Sequence, residues 1–361
     1  MRLLIIHGPD ELARELQRTA ELTSNFKLLV AGRINPLRDN VGDAIFQFLP
    51  CRCKFDLPTI RHLRSTLLRF SPDVVHAFEP RSLAQTVLAT MGMRRKPKIV
   101  SFYGITRPPS WRDPSNWFTY LSRNVALHAC ESNAVKAALQ EAGIRENLCQ
   151  VIYNCVSVPD RTLSREEIRR KLNVPLDAFV VGTVATIRPV KGIDILLRAI
   201  MECYGIPNVY AVMVGNLEDP EVERLRKDER IRERVRWLGY VENGSSFMSA
   251  MDLFVMPSRK EGLCRALLEA MWQGVCPVVS DAGGMKEIVR DKIDGVVFPS
   301  EDHHVFASVI QDLQQSPDLV ATYGKSAHDR VNAMCSPVVV RERVMRLYEM
   351  ALSAQPTFQF D

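Results

Sequence analysis

At 361 residues the chain exceeds the size at which one hydrophobic core stops growing, so two domains are expected. Hydrophobic residues make up 46% and charged residues 25%, an ordinary globular balance, and no apolar run reaches the eighteen or so residues that cross a bilayer. The net charge of +5 divides into +7 for residues 1–160 and −2 for the rest. Arg61, Arg64 and Arg69 lie among leucines, and Arg94-Arg95-Lys96-Pro97-Lys98 follows. No nucleic-acid motif accompanies this bias, so it reads as a solvated face or as one that meets an anionic membrane surface or acceptor. The nine cysteines include no C-x2-C pair, and no His or Cys cluster completes a zinc site around Cys51-Arg52-Cys53. Buried thiols in a reducing cytoplasm are expected, with no disulfide framework.

The N-terminal run Leu3–Ile6 is too short for a signal peptide and reads as a first buried strand. Short apolar runs recur at Lys27–Val30, Ala44–Phe48, Val74–Ala77, Lys98–Phe102, Leu127–Cys130 and Val151–Tyr153, alternating with helical patterns. That alternation predicts a parallel sheet flanked by helices. Asn154, Val158-Pro159-Asp160 and the polar Arg161–Arg170 segment are read as an interdomain linker. The pattern restarts at Phe179–Ile187 and continues with a helix from Ile193 to about Cys203. Strands are expected at Val209–Val214, Val235–Leu238, Asp252–Met256, Val275–Ser280 and Gly295–Phe298. Val338–Ala354 predicts a terminal helix with Val340, Val344, Leu347, Met350 and Ala351 on its apolar face.

Two stretches carry chemistry. Glu261 and Glu269 are eight residues apart, the first after the strand-like Leu253–Ser258 run and the second within the helix-forming run Ala266–Trp272. One therefore lies at or before a helix start and the other about two turns in, with the amides of Gly262, Leu263 and Cys264 free to face an anion. Two hydroxyl-binding carboxylates around a phosphate-binding amide cluster suit a sugar nucleotide. Arg188-Pro189-Val190-Lys191-Gly192 follows a strand and opens a helix, so two cations and a helix N-terminus can converge on one anion.

The pair, with Ala282-Gly283-Gly284-Met285-Lys286-Glu287 and Gly295–Pro299 after it, resembles the E-x7-E signature of retaining GT-B glycosyltransferases of family 4, over Val181–Pro299. The resemblance implies an α/β fold of two Rossmann-like domains facing across a cleft. These are an acceptor domain at 1–157, a nucleotide-sugar domain at 158–336, and a helix and tail at 337–361 crossing back to the first domain. It makes Arg188 and Lys191 the holders of the donor pyrophosphate and Glu261 a ligand of the donor sugar, these three forming the catalytic set. Glu269 clamps the ribose, Gly262, Leu263 and Cys264 meet phosphate, and amides at Gly283 and Gly284 meet the sugar. The chain has no D-x-D triplet, so the cations take over the role of a metal and neither metal nor cofactor is expected. The implied partners are a UDP-sugar, or next a GDP-sugar, and a glycan or lipid-linked acceptor of the bacterial cell envelope, met at the inner face of the cytoplasmic membrane.

The acceptor half departs from the family pattern. The first loop is only His7-Gly8-Pro9-Asp10, leaving Gly8 as its glycine, and Pro9 removes an amide donor. Phe78 in His76-Ala77-Phe78-Glu79-Pro80 and Tyr103 in Val100–Gly104 stand where relatives carry histidine. His76 either lines the cleft or is a satisfied structural histidine, and Tyr103 either offers its hydroxyl or packs. Arg107 and Trp111 lie in a Pro-rich loop suited to sugar or phosphate contact. Asn154, followed by Cys155 where relatives have glycine, reads as structural. A sugar-nucleotide epimerase or hydrolase of the same fold, and a non-catalytic partner subunit, are the alternative functions.

Overall fold

The computed structural model describes residues 1–7, 12, 16, 27–32, 45–156 and 163–354. The chain divides into two compact units, Met1–Cys155 with Ser336–Asp361, and Val156–Cys335. Each is a parallel sheet with helices against it.

In the first unit the elements run β1 (Arg2–Ile6), β2 (Lys27–Gly32), β3 (Ile45–Phe48), α1 (Leu57–Phe70), β4 (Val74–Ala77), α2 (Pro80–Thr90), β5 (Lys98–Tyr103), β6 (Val125–Cys130), α3 (Asn133–Glu141) and β7 (Cys149–Val151). The strands lie in the order β3-β2-β1-β4-β5-β6-β7, every pair parallel. β1 shows why such strands read as unbroken apolar runs. Leu3 and Ile5 enter one buried cluster and Leu4 and Ile6 another, because successive side chains alternate faces and both faces are covered. Helix starts are set locally: Asp56 accepts from the Thr59 amide ahead of α1, and Ser132 accepts from the Val135 amide ahead of α3.

The second unit runs α4 (Arg165–Lys171), β8 (Phe179–Val184), α5 (Ile193–Glu202), β9 (Val209–Val214), α6 (Pro220–Leu225), β10 (Val235–Trp237), β11 (Leu253–Met256), α7 (Arg265–Trp272), β12 (Cys276–Ser280), α8 (Met285–Ile288), β13 (Val296–Phe298), α9 (His303–Gln314) and α10 (Pro317–Cys335). Its strand order is β10-β9-β8-β11-β12-β13, again parallel throughout. The order reverses direction between β8 and β11, and an open α/β sheet forms its ligand crevice outside the carboxyl ends of the strands at such a switch point.

The last helix, α11 (Pro337–Ser353), belongs to the first unit, where it packs on β4, β5 and β6. Its buried face is Val340, Val344, Leu347, Tyr348 and Ala351; Met350 is 43% exposed, since residue 348 rather than 350 falls on the 3.6-residue stripe. The polar stretch read as linker is also corrected. From Arg165 it is helix α4, started by a reciprocal Ser164–Glu167 capping box. Arg165 and Arg169 from this helix grip Asp252 at 2.5 and 2.8 Å.

Candidate functional site

The loops after β8, β11 and β12 meet at the carboxyl edge of the second sheet. The loop after β8 ends in a 3-10 turn, Pro189–Lys191, and Gly192 at φ +65°. A side chain at Gly192 would run into the Pro257 carbonyl at the end of β11, so the two loops pack together only because this residue has none. Arg259 then fastens them. Its amide donates to the Val190 carbonyl, and its guanidinium donates to the Pro189 carbonyl and to both Asp194 oxygens, at 2.8 Å each. It also reaches both oxygens of Glu301, and these carboxylates hold its proton still more firmly than usual. Asp194 sits in the first turn of α5, so the positive end of that helix is already met by a carboxylate. Nothing in the motif reading pointed to Arg259; a lone arginine after Ser258 carries no signal until Asp194, 65 positions earlier, is placed beside it.

Lys191 and Glu261, seventy residues apart, come together: Lys191 Nζ donates to Glu261 Oε2 at 2.6 Å, with side chains 16% and 14% exposed. Ser258 Oγ donates to the same oxygen at 3.3 Å. Among the described residues, Glu261 Oε1 and two of the three lysine protons have no other partner. Arg188, three residues before Lys191, is exposed, and among the described residues its guanidinium has no hydrogen-bond or ion-pair partner.

Glu261 lies before the helix start as the spacing predicts, whereas Glu269 falls nearer that start than the two turns expected. Helix α7 begins at Arg265, so Glu261 precedes it by four residues and half-buried Glu269 is its fifth, little more than one turn in. Cys264 is the helix N-cap residue, without a side-chain cap hydrogen bond. Among the described residues, the amides of Gly262, Leu263 and Cys264 have no acceptor. The Cys264 thiol is buried and pushed up to about 12 by loss of solvation, with the Glu261 charge adding to the effect. It is no nucleophile at neutral pH.

The two glycines after β12 have different roles. Gly283 has φ +59°, and a Cβ there would lie far inside the 3.0 Å that real Cβ atoms keep from the Glu261 carbonyl oxygen. The Gly284 amide donates to the Gly262 carbonyl at 3.1 Å. Gly284 therefore braces the Glu261 loop and is not the free donor toward a sugar that its position suggested, while Gly283 allows the two loops to touch. A pocket of about 800 Å³ at the opposite, amino edge of this sheet is lined by Arg165, Arg169 and Asp252. Arg169 there is already matched by the Leu176, Ala178 and Ala250 carbonyls and by Asp252, which makes that pocket a poorer anion site than the carboxyl edge.

In the first unit the candidates scatter. Gly8 lies outside the described residues. His76 is 1% exposed; its Nδ1 is 2.9 Å from the Tyr348 hydroxyl, and its ring lies 4.0 Å from that of Phe78. Burial lowers its pKa to about 3, so it is a neutral core residue and lines no open surface. Tyr103 packs: it is 2% exposed, stacks edge-on against Tyr120 at 4.5 Å and donates to the Arg107 carbonyl, and burial raises its hydroxyl to about 12. The Arg107 side chain is exposed. Trp111 is tied down through its indole N–H to the Ala142 carbonyl. Asn154 donates to Glu131 Oε1 at 2.6 Å, and Glu131, 7% exposed at the carboxyl end of β6, fills the space left by Gly104. The Asn154–Glu131 contact has no mark in the sequence, because a single Glu after a strand has no spacing to single it out.

A family model described as Glycosyl transferases group 1 matches residues 164–330, and one described as Glycosyltransferase Family 4 matches residues 10–158. The lipopolysaccharide core biosynthesis glycosyltransferase LpsE of Rhizobium meliloti is 25% identical over 289 residues, covering 80% of this chain and 78% of that one. The O-antigen biosynthesis glycosyltransferase WclY of Escherichia coli is 26% identical over 238 residues, covering 60% and 63%. Among solved structures, Anabaena HepE in complex with UDP-glucose superposes with a TM-score of 0.77 at 21% identity, covering 97% of this chain and 99% of that one. A glycosyltransferase from Rickettsia africae gives 0.80 at 16% identity, covering 98% and 99%.

Proposed function

The chain belongs to the group 1, family 4 glycosyltransferases, which take the GT-B fold, and on that premise we propose the reaction it catalyses. It moves a sugar from a nucleoside-diphosphate donor, a UDP-sugar before a GDP-sugar, onto a glycan or lipid-linked acceptor in lipopolysaccharide synthesis. The named roles of LpsE and WclY, in lipopolysaccharide core and O-antigen synthesis, support the acceptor class. The transfer retains the anomeric configuration and needs no divalent metal.

The observation that carries this reading is the Lys191–Glu261 pair beside the amides of Gly262, Leu263 and Cys264, which have no acceptor among the described residues, at the sheet's switch point. Lys191 keeps one proton on Glu261 and directs the others to the diphosphate, with Arg188 as second cation. Both stabilise charge that grows on the phosphate as the glycosyl bond breaks, so they act most strongly in the transition state. Glu261 Oε1 accepts from donor-sugar hydroxyls, Glu269 accepts from the ribose, and the amides meet phosphate oxygens. The acceptor hydroxyl approaches on the face the phosphate leaves and passes its proton to the leaving phosphate oxygen. Buried, high-pKa Cys264 is the one thiol in this loop, which fits a reaction without a protein nucleophile. Contact with an anionic membrane surface is part of the same proposal: α1 exposes Leu57 and Leu68 along with Arg61 and Arg69, whereas Arg64 is taken up by the Ala89 and Met91 carbonyls.

The test is calorimetric binding of UDP, GDP, ADP and TDP in EDTA, on the natural chain and on Glu269→Ala. Binding of one nucleotide that weakens about ten- to hundred-fold in the variant, the worth of a charged hydrogen bond, supports donor site, base and metal independence together. A chain that binds none of the four has no working donor site, and the proposal falls. Proton NMR of the transferred product then reads the anomeric configuration.

A further inference from the structure

Glu202 ends α5 and His303 and His304 open α9, and the two helices pack against each other. Glu202 Oε1 lies 3.2 Å from His303 Nε2 and 2.7 Å from His304 Nδ1. One donor atom from each of the three residues lies within 4.8 Å of the other two. The imidazole rings are 4.1 Å apart at an interplanar angle of 32°, so consecutive residues of one helix turn nitrogens toward the same carboxylate oxygen. Tetrahedral zinc, with ligand bonds of roughly 2.0–2.1 Å, needs its ligand atoms about 3.3 Å apart. Both oxygen–nitrogen separations already lie within about 0.6 Å of that value. The site is open to solvent, with side-chain exposures of 33% for Glu202, 30% for His303 and 75% for His304.

We infer that Glu202, His303 and His304 form a binding site for a divalent transition metal of the zinc class, pinning the end of α5 to the start of α9. Two imidazoles and one carboxylate suit Zn²⁺, Ni²⁺ or Cu²⁺, while Mg²⁺ and Ca²⁺ prefer all-oxygen shells. Water fills the remaining positions of the open site. The neighbouring acids are occupied elsewhere and supply only negative field: Asp302 caps α9 through the Val305 amide, and Glu301 holds Arg259. The site is distinct from the residues assigned to the donor, so it neither requires nor alters a metal-free transfer step.

The experiment is titration of zinc chloride into the full chain, free of any affinity tag, by calorimetry and thermal unfolding. The comparison is with the double variant His303→Asn/His304→Asn and with Glu202→Gln. All three positions are at least partly exposed, so the variants keep the fold; circular dichroism and nucleotide binding check this. The expected result is one zinc per natural chain at micromolar affinity, a rise of several degrees in its unfolding midpoint, and at least a tenfold loss of affinity in each variant. Co²⁺ gives a second readout through a visible absorption band present in the natural chain and absent from the double variant. Equal zinc binding by natural chain and double variant would move the metal to another thiol or imidazole and overturn the inference. So would no binding at tens of micromolar zinc.

Discussion

Replacing Gly283 by alanine tests whether the loop after β12 positions Glu261. Two costs are involved. The backbone at φ +59° is left-handed, which costs a residue with a Cβ about 1–2 kcal/mol. The new methyl also meets the Glu261 carbonyl, a backbone group that moves only with the whole loop, adding about 1–3 kcal/mol for overpacking. Gly239 separates the two costs: it has φ +66° in the same unit, and nothing lies within 4 Å of a Cβ placed there. Gly239→Ala is therefore expected to cost about 1 kcal/mol, reduced somewhat by the stiffer unfolded chain, and Gly283→Ala about 2–4 kcal/mol. Because any relief drags Glu261 and the Gly284–Gly262 hydrogen bond, nucleotide binding should fall at least tenfold in Gly283→Ala and stay unchanged in Gly239→Ala. Urea unfolding midpoints and UDP calorimetry read the two halves separately. Equal midpoints for the two variants, with equal nucleotide binding, would refute the argument that contact between these loops sets the site.

Other consequences are more local. His76 and His128 are both buried and held at a pKa of about 3 by loss of solvation, against an ordinary value of 6.5. The unfolded chain binds more protons in that window, so stability is complete above pH 6.5 and falls toward pH 3; each histidine costs about 1.4 kcal/mol at pH 5.5. Urea midpoints measured from pH 8 to pH 5 should decline accordingly, and His128→Asn should halve the slope. A flat profile would contradict neutral burial of both rings. Arg259→Lys keeps the charge but loses the paired contacts to Asp194 and Glu301, so it should weaken nucleotide binding several-fold although Arg259 is assigned no contact with the donor. Binding equal to that of the natural chain would show that the clamp is dispensable. Of the nine thiols only Cys53 is exposed, so native alkylation at pH 8 should label one equivalent quickly, with Cys264 reacting only after unfolding. Mass spectrometry of the peptides decides this, and rapid labelling of Cys264 would contradict its burial.

The strands were readable from the chain alone because both faces of a parallel sheet are buried, which leaves continuous runs such as Val209–Val214 that start and stop where the structure places them. The Ser164–Glu167 capping box was equally present in the sequence; the polar character of its surroundings hid it. The positions of Glu261, Lys191 and the Gly283 turn, each on a loop after a strand where ligand sites form, could be read from spacing, and the roles proposed for them rest on the resemblance. Strand order could not be named. Putting β11 beside β8 depends on long-range pairing, and only that pairing places Lys191 2.6 Å from Glu261 and Arg259 on Asp194. The same holds for burial: His76 and Tyr103 stand at strand ends like site residues. Their partners, Tyr348 and Tyr120, come from distant elements that close over them. Local sequence determined which segments are strands, helices and loops; tertiary packing decided which of their polar groups face one another and which are sealed away from water.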